Sequence, residues 1–446
     1  MQLRNLLIAA VLLACLGGLV WWSNKTQKEK EGKPDIAASP KIVEIPADQI
    51  KQIELVKAGQ PATVLVRESG NYRITAPKPL RADQDAASSV ATALASLLSD
   101  RVVEEKAADF APYGLNSPTI AVKVTKTDGK DVTLLIGDET PTGSGAFCRL
   151  GGDPRVFTIA SYNKSSFDKT WKDLQDKRLV TFDSDKLTRL QLIAKGQTVE
   201  FGKNNQNEWQ VIAPKPLRAD GGAVEELIRK VKDARMDTSL SDDELKKIAA
   251  PWGSASPVAV VKVTDAARTQ QLDVRKSKDN TYYAKGTGAE GVHKATTDLG
   301  DGLNKSLDDF RNKKIFDFGW SDPTKLTFKD GKTNLTIDKS GDKWMAAGKE
   351  MDSVSVRNLI DKLRDLASIK FLDQGSPPAD IEVTVTSNEG KRVEKVRAGK
   401  SGDRFLAVRE NEPSVYELDG KAVEELQKAA AGVKPPEPPK KDAAKK

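Results

Sequence analysis

Ala76-Pro77-Lys78-Pro79-Leu80-Arg81-Ala82-Asp83 recurs letter for letter, 137 residues on, as Ala213-Pro214-Lys215-Pro216-Leu217-Arg218-Ala219-Asp220. An identical octamer marks a duplication. An aromatic precedes each copy, Tyr72 and Trp209, and Trp344 opens a degenerate third copy that runs to Met351-Asp352. Downstream, Pro112-Tyr113-Gly114 matches Pro251-Trp252-Gly253. Val122-Lys123-Val124-Thr125 matches Val261-Lys262-Val263-Thr264, and Val383-Thr384-Val385-Thr386 echoes both. Asp173-Leu174-Gln175-Asp176-Lys177-Arg178-Leu179 resembles Asp309-Phe310-Arg311-Asn312-Lys313-Lys314-Ile315. Three units follow, 42–183, 184–318 and 319–433. A period this long means tandem domains, since solenoid units run to about 20–50 residues.

Each unit reads alike. Short alternating stretches, Thr63-Val64-Leu65-Val66-Arg67 and Tyr72-Arg73-Ile74-Thr75, predict an antiparallel hairpin with one buried face. A Pro-bearing loop then ends at Asp83, Asp220 or Asp352, each placed to cap a helix. Apolar residues follow at helical spacing: Val90, Leu94, Leu97, Leu98; Val224, Leu227, Ile228, Val231; Leu359, Ile360, Leu363, Leu366. A second set of strands is expected around Val122, Leu134, Phe147 and Val156. The first two units then close with a charged helix near Trp171 or Leu307. Strands with segregated helices predict α+β units.

The 446 residues carry a net charge of +7. The first 33 residues hold +3 of it and the tail from Lys434 another +3, which leaves +1 for 34–433. A nucleic-acid-binding domain shows a dense basic face, so no nucleic-acid partner is expected. Two cysteines and one histidine exclude a disulfide scaffold and a Cys/His zinc cluster. The tail Lys434-Pro435-Pro436-Glu437-Pro438-Pro439-Lys440-Lys441 reads as disordered. Residues 434–446 are assigned to that tail and 34–41 to a linker.

Residues 6–22 are all apolar or Gly. As a helix they span about 25 Å, and 3–23 approaches the thickness of a bilayer core. Trp21 and Trp22 stand at the interfacial edge. The expectation is one uncleaved transmembrane helix, with 1–33 as anchor and basic flank. Lipoprotein processing at Leu12-Leu13-Ala14-Cys15 and cleavage of a signal peptide are the rival readings. The Lys and Arg flanks favour a cytoplasmic body, but long domains translocate largely regardless of charge, so they do not settle orientation.

The first unit runs through Ala82-Asp83, Tyr113-Gly114-Leu115-Asn116-Ser117-Pro118 and Ile136-Gly137-Asp138-Glu139-Thr140-Pro141-Thr142-Gly143 to an aromatic strand at Phe147. This order resembles the bacterial family known as domain of unknown function 4340. The second unit keeps the octamer but has Val274-Arg275-Lys276 where Ile-Gly-Asp would stand, and the third keeps mostly the pattern. The resemblance implies a single-anchor protein of the bacterial inner membrane with an extracytoplasmic body. It also implies an association with ABC-type permeases, including gliding-motility-like systems, and it brings no catalytic residues.

His293 is the one histidine, and it stands where the other units have Phe157 and Tyr416, which predicts a packed strand residue. Cys148 follows Phe147 without a basic activator and is expected in a core. Gly399-Lys400-Ser401 lacks the first glycine of a phosphate-binding loop, Glu394 standing in its place. The charged stretch 240–248 reads as a solvated helix. Lys78, Arg81, Lys215 and Arg218 form two cationic loops before helix N-termini, which makes them the only candidate anion contacts, against a plain loop-and-plug role. No motif calls for a cofactor, a metal or a catalytic residue. The expected function is therefore that of a non-enzymatic accessory or scaffold with a membrane-protein partner. A module for anionic envelope polymers or phosphate-containing ligands is the first alternative, and a carboxylate-based hydrolase the second.

Overall fold

Apolar residues at every second position dictate paired strands with one buried face, and three sheets of one topology result. A computed structural model describes residues 41–237, 242–266, 268–320, 323–372 and 374–437. The anchor at 3–23 and the tail beyond 437 lie outside the described residues. No helix among the described residues is long and apolar enough to cross a membrane.

The first sheet is entirely antiparallel. Its strands lie in the order Leu80–Arg81, Asn71–Ala76, Thr63–Glu68, Ile50–Lys57, Ile120–Lys126, Asp131–Glu139, Gly145–Leu150, Val156–Ala160 and Arg101–Glu104. Two meanders thus meet back to back at Ile50–Lys57 and Ile120–Lys126. The second sheet repeats the order from Leu217–Arg218 to His293–Ala295, and the third from Lys349–Glu350 to Ser368–Leu372. The register agrees at the central pair, Ile53 facing Val124, Leu190 facing Val263 and Leu326 facing Val385. The Val-x-Val-Thr stretches are therefore the middle strand of each sheet.

Between the meanders runs one helix: Gln84–Ala95, Gly221–Asp233 or Ser353–Asp365. Asp83 accepts hydrogen bonds from the amides of Asp85 and Ala86, Asp220 from Ala223 and Asp352 from Ser355. The predicted stripe is buried in the second and third repeats, for example Val224, Leu227, Ile228 and Val231, and in the first helix at Val90 and Leu94. Burial of one such side chain contributes about 1.5–3 kcal/mol. A second helix packs beside the first: Ser161–Phe167, Thr297–Leu303 and Gly420–Ala431. The closing helices expected near Trp171 and Leu307 are single turns, the helix Trp171–Leu174 and the 3-10 turn Leu307–Phe310, and they lie just after this second helix in the first two repeats.

Two expectations change. Leu97 and Leu98 lie beyond the end of the helix, in a short strand paired with Lys41–Val43, so Leu97 is buried while Leu98 is 44% exposed. The unit boundaries also move upstream. Leu179 and Val180 belong to the second core, and Ile315, Phe316 and Phe318 to the third. Arg178 pairs with Arg235 and Lys314 with Ala367, as Lys41 pairs with Leu98 in the separate two-stranded sheet of the first repeat. Each repeat therefore begins with a basic-aliphatic-apolar hook: Lys41-Ile42-Val43, Arg178-Leu179-Val180 or Lys314-Ile315-Phe316. The divisions expected after 183 and 318 fall near 177 and 313.

Three separate apolar cores result, one per sheet. The chain divides into two compact units at 177/178. The first holds one large sheet and a two-stranded one, and the second holds two large sheets. After Gly420–Ala431 the chain has no helix or strand as far as 437, but the carbonyl of Lys434 accepts from the amide of Asp352 at 2.8 Å, so the backbone at 434 belongs to the third repeat.

Candidate functional site

The octamer turns from a strand into a helix with its residues divided by environment. The Ala76-Pro77 and Ala213-Pro214 bonds are cis. Leu217 is buried and Leu80 half-buried against their cores. The backbone closes each loop: the Asp83 amide donates to Leu174 O and the Asp220 amide to Phe310 O, both at 2.8 Å.

The four cations of the two loops have different partners. In the first unit Lys78 Nζ lies 5.1 Å above the Trp171 ring, and Arg81 lies 3.7 Å from the buried carboxylate of Asp176. In the second unit Lys215 also has an interaction partner. Arg218 is mostly buried and reaches across to the third repeat. Its Nη2 donates to Lys314 O at 2.6 Å and to the Tyr416 hydroxyl at 3.3 Å. Its Nε lies 2.9 Å from Glu412 Oε1, and its Nη1 3.6 Å from Asp317 Oδ2. Neither nitrogen makes a hydrogen bond.

A network grows from this residue. Arg409 Nε donates to Glu412 Oε1 at 2.7 Å and its Nη2 to Glu394 Oε1 at 3.0 Å. Tyr416 donates to Glu412 Oε2 at 2.6 Å. Arg392 bonds Glu208 of the second repeat and the Asp317 carbonyl of its own. Arg311 donates to Ser414 Oγ at 3.0 Å and stacks 3.6 Å over Phe371. Burial works against the charged form of Glu412, but the guanidinium groups of Arg218 and Arg409 outweigh it and hold the carboxyl below its usual range. Burial raises the Tyr416 hydroxyl.

Beside the network lies a cleft of about 530 Å³ between the second and third sheets. Its wall includes Glu208, Asp220, Glu225, Lys313, Arg392 and Glu394. Positive and negative side chains alternate there, so the cleft has no single sign.

The sequence pointed to Arg218 but not to Glu412, Asp317, Arg392, Arg409 or Glu394. One signal was present. Glu412-Pro413-Ser414-Val415-Tyr416 parallels Asp153-Pro154-Arg155-Val156-Phe157, a shared acid-Pro-x-Val-aromatic pattern entering the last strand of a meander. In the first unit Asp153 is taken by Arg155 at 2.7 Å.

The remaining candidates sit in the framework. His293 is buried in the edge strand His293–Ala295, with Nε2 2.8 Å from Glu290 O, and burial lowers its pKa. Cys148 is fully buried, and burial pushes its thiol up to about 12, where it is no nucleophile at neutral pH. Gly399-Lys400-Ser401 ends the strand Arg392–Ser401. Asp243, Glu244, Lys246 and Lys247 are exposed on the helix Asp242–Ala249. Among the described residues no group of three or more His, Cys, Asp or Glu side chains is placed to hold a metal ion.

A family profile described as domain of unknown function (DUF4340) matches residues 72–210 and again 209–384. The two matches begin 137 residues apart, at Tyr72 and Trp209, so the profile has the period of the octamer. Each match starts in one sheet and ends in the next. No curated protein and no solved structure matches the chain.

Proposed function

The chain belongs to the domain of unknown function 4340 family (DUF4340), and from that premise we propose that it is a non-enzymatic accessory or scaffold protein of the bacterial envelope. It is held in the inner membrane by residues 3–23, carries its body outside the cytoplasm and works beside a membrane-protein partner such as an ABC-type permease. The observation that carries this reading is the use made of the octamer. Arg218, the residue most suggestive of ligand binding, joins one repeat to the next through Glu412, Asp317 and Tyr416. Use of the second octamer's arginine to join two sheets supports a protein that presents surface. Tandem sheets with separate cores suit that task, because each repeat adds area without a new core design.

Two measurements test the proposal. A reporter fused after residue 177 is expected to be active only outside the cytoplasm, and cytoplasmic activity overturns the localisation. Cross-linking in intact membranes is expected to recover a permease subunit, and a chain that cross-links only to itself counts against the partner.

One observation favours a second reading. The Arg81 side chain is 36% exposed, against 14% for Arg218, so the first octamer has the more accessible guanidinium. An anionic envelope polymer bound there requires Arg81. Unchanged binding in Arg81→Ala eliminates this reading.

A further inference from the structure

Between the second and third sheets the contacts differ in kind from those inside either. The second core draws only on residues 179–310 and the third only on 315–430, with no shared apolar cluster. What crosses is polar: Arg218 to Glu412, Asp317 and Tyr416; Glu208 to Arg392; Arg311 to Ser414, with one ring, Phe371, beneath its guanidinium. The backbone link is short. Arg311 is still paired with Ala219 of the second repeat, and Lys314 already with Ala367 of the third. The Asn312 amide still donates to Arg218 O of the second repeat at 3.0 Å and the Lys313 carbonyl already accepts from the Ser368 amide of the third at 2.7 Å, so the chain changes repeat at the single Asn312–Lys313 bond. The join is also loosely packed. The cleft of about 530 Å³ opens along it, and Arg218 Nε and Nη1 and Glu394 Oε2 are buried without hydrogen-bond partners.

Buried ion pairs of this kind contribute little net stability, because desolvation offsets the Coulomb attraction. Polar interfaces between domains permit relative motion unless a large apolar contact prevents it. We propose that the Arg218–Glu412–Arg409 chain is a latch that closes the third repeat onto the second and opens about Asn312-Lys313 without unfolding either sheet. The closed form occupies Arg218 with internal carboxylates, and the open form exposes it together with the cleft walls. The proposal is independent of the partner suggested above.

The test is a distance measurement on the full chain in detergent. Spin labels at Glu225→Cys and Val393→Cys report on opposite walls of the cleft, with Cys15 replaced by serine and the sealed Cys148 left in place. The latched protein is expected to give one short distance. Arg218→Met removes the latch while leaving Glu412 its bond to Arg409, and a second, longer distance is expected to appear. Glu412→Gln, a milder change, is expected to give the same longer population at a smaller fraction. Urea unfolding of both variants checks that the sheets persist. An unchanged distance distribution in both variants overturns the latch. So does a longer distance that appears only with loss of the sheet signal, because that outcome is unfolding.

Discussion

His293 occupies the strand position filled by Phe157 and Tyr416 in the other sheets, each facing the small residue of the neighbouring strand: Ala284, Cys148 or Ala407. The imidazole is buried, its Nε2 is engaged by the Glu290 carbonyl, and Nδ1 has no hydrogen-bond partner. Burial therefore lowers its pKa below 6.5, against a smaller opposing pull from the Glu290 carbonyl and Asp237. The unfolded chain binds the proton more readily than the folded one. Stability is then full above about pH 6.5 and falls as the pH drops below that value, by at most about 1.4 kcal/mol per pH unit for one proton. Urea unfolding at pH 7.5 and 5.5 is expected to show this loss, and His293→Phe to abolish it. An equal loss in the variant places its origin elsewhere. Glu394 invites a parallel comparison. Gln270 holds the same place in the second sheet, facing Val263 as Glu394 faces Val385. It accepts from the Thr181 amide at 2.9 Å and donates to the Thr181 carbonyl. Glu394 accepts from the Asp317 amide, but its second oxygen is an unpaired acceptor. Glu394→Gln supplies a donor there, and Arg409 keeps Glu412. The change is expected to alter stability by less than about 1 kcal/mol, while Glu394→Ala costs about 1–3 kcal/mol by stranding the Asp317 amide. Equal losses in chemical denaturation refute the comparison.

Helix entry is the best-encoded element. The octamer carries strand exit, core plug and cap in eight letters, and all three caps were legible because Asp at that spacing has one local use. Asp220→Ala is expected to cost about 0.5–2 kcal/mol of unfolding free energy, since the Ala223 amide loses its acceptor; no loss in a thermal melt rejects the cap. Helix exit was less legible. Leu97 and Leu98 continue a helical spacing, but Leu97 is claimed by the strand pair with Lys41–Val43, a contact across more than fifty residues that periodicity does not see. The end of the strand Asp131–Glu139 shows the same limit. A Cβ on Gly137 would lie 2.1 Å from the Tyr113 carbonyl, so the Pro-Tyr-Gly turn lies directly against this strand. At the matching position the second sheet has Arg275, whose guanidinium lies 4.5 Å over Trp252 and donates to the Trp252 carbonyl at 3.2 Å. The loss of Ile-Gly-Asp there is thus a change of contact: a close backbone approach in one sheet, a stacked cation in the other. Gly137→Ala is expected to destabilise by about 1–3 kcal/mol through overpacking against a carbonyl that cannot rotate away. Gly253→Ala, with nothing within 4 Å of the added methyl, is expected to stay within about 0.5 kcal/mol. A tolerated Gly137→Ala in differential scanning calorimetry contradicts the close approach.

At the scale of the molecule, repetition made the architecture readable. One octamer set the period, and the period sorted the strands of the first sheet onto the other two. The junctions stayed hidden because their residues are chosen by a neighbouring repeat. Arg218 carries the letters of Arg81, yet its partners Glu412 and Asp317 lie more than ninety residues downstream. Glu350 holds the corresponding place two residues before the capping Asp352, and it is paired with Lys343 at 2.6 Å. The third repeat thus has a carboxylate where the second has Arg218. The cores carry the same division into energetics. The first core draws only on residues 42–174 and is complete without any side chain beyond 177. A cooperative transition requires shared burial, and separate cores give separate transitions. Urea unfolding of the full chain is therefore expected in at least two steps. Trp171 reports on the first unit, and Trp209, Trp252 and Trp344 on the second. Phe157 is buried in the first core, and Phe157→Ala removes about 3–5 kcal/mol there. Single-tryptophan variants are expected to show the Trp171 transition moving to lower urea while the Trp344 transition stays in place. Coincident transitions that shift together would mean that the two units fold as one.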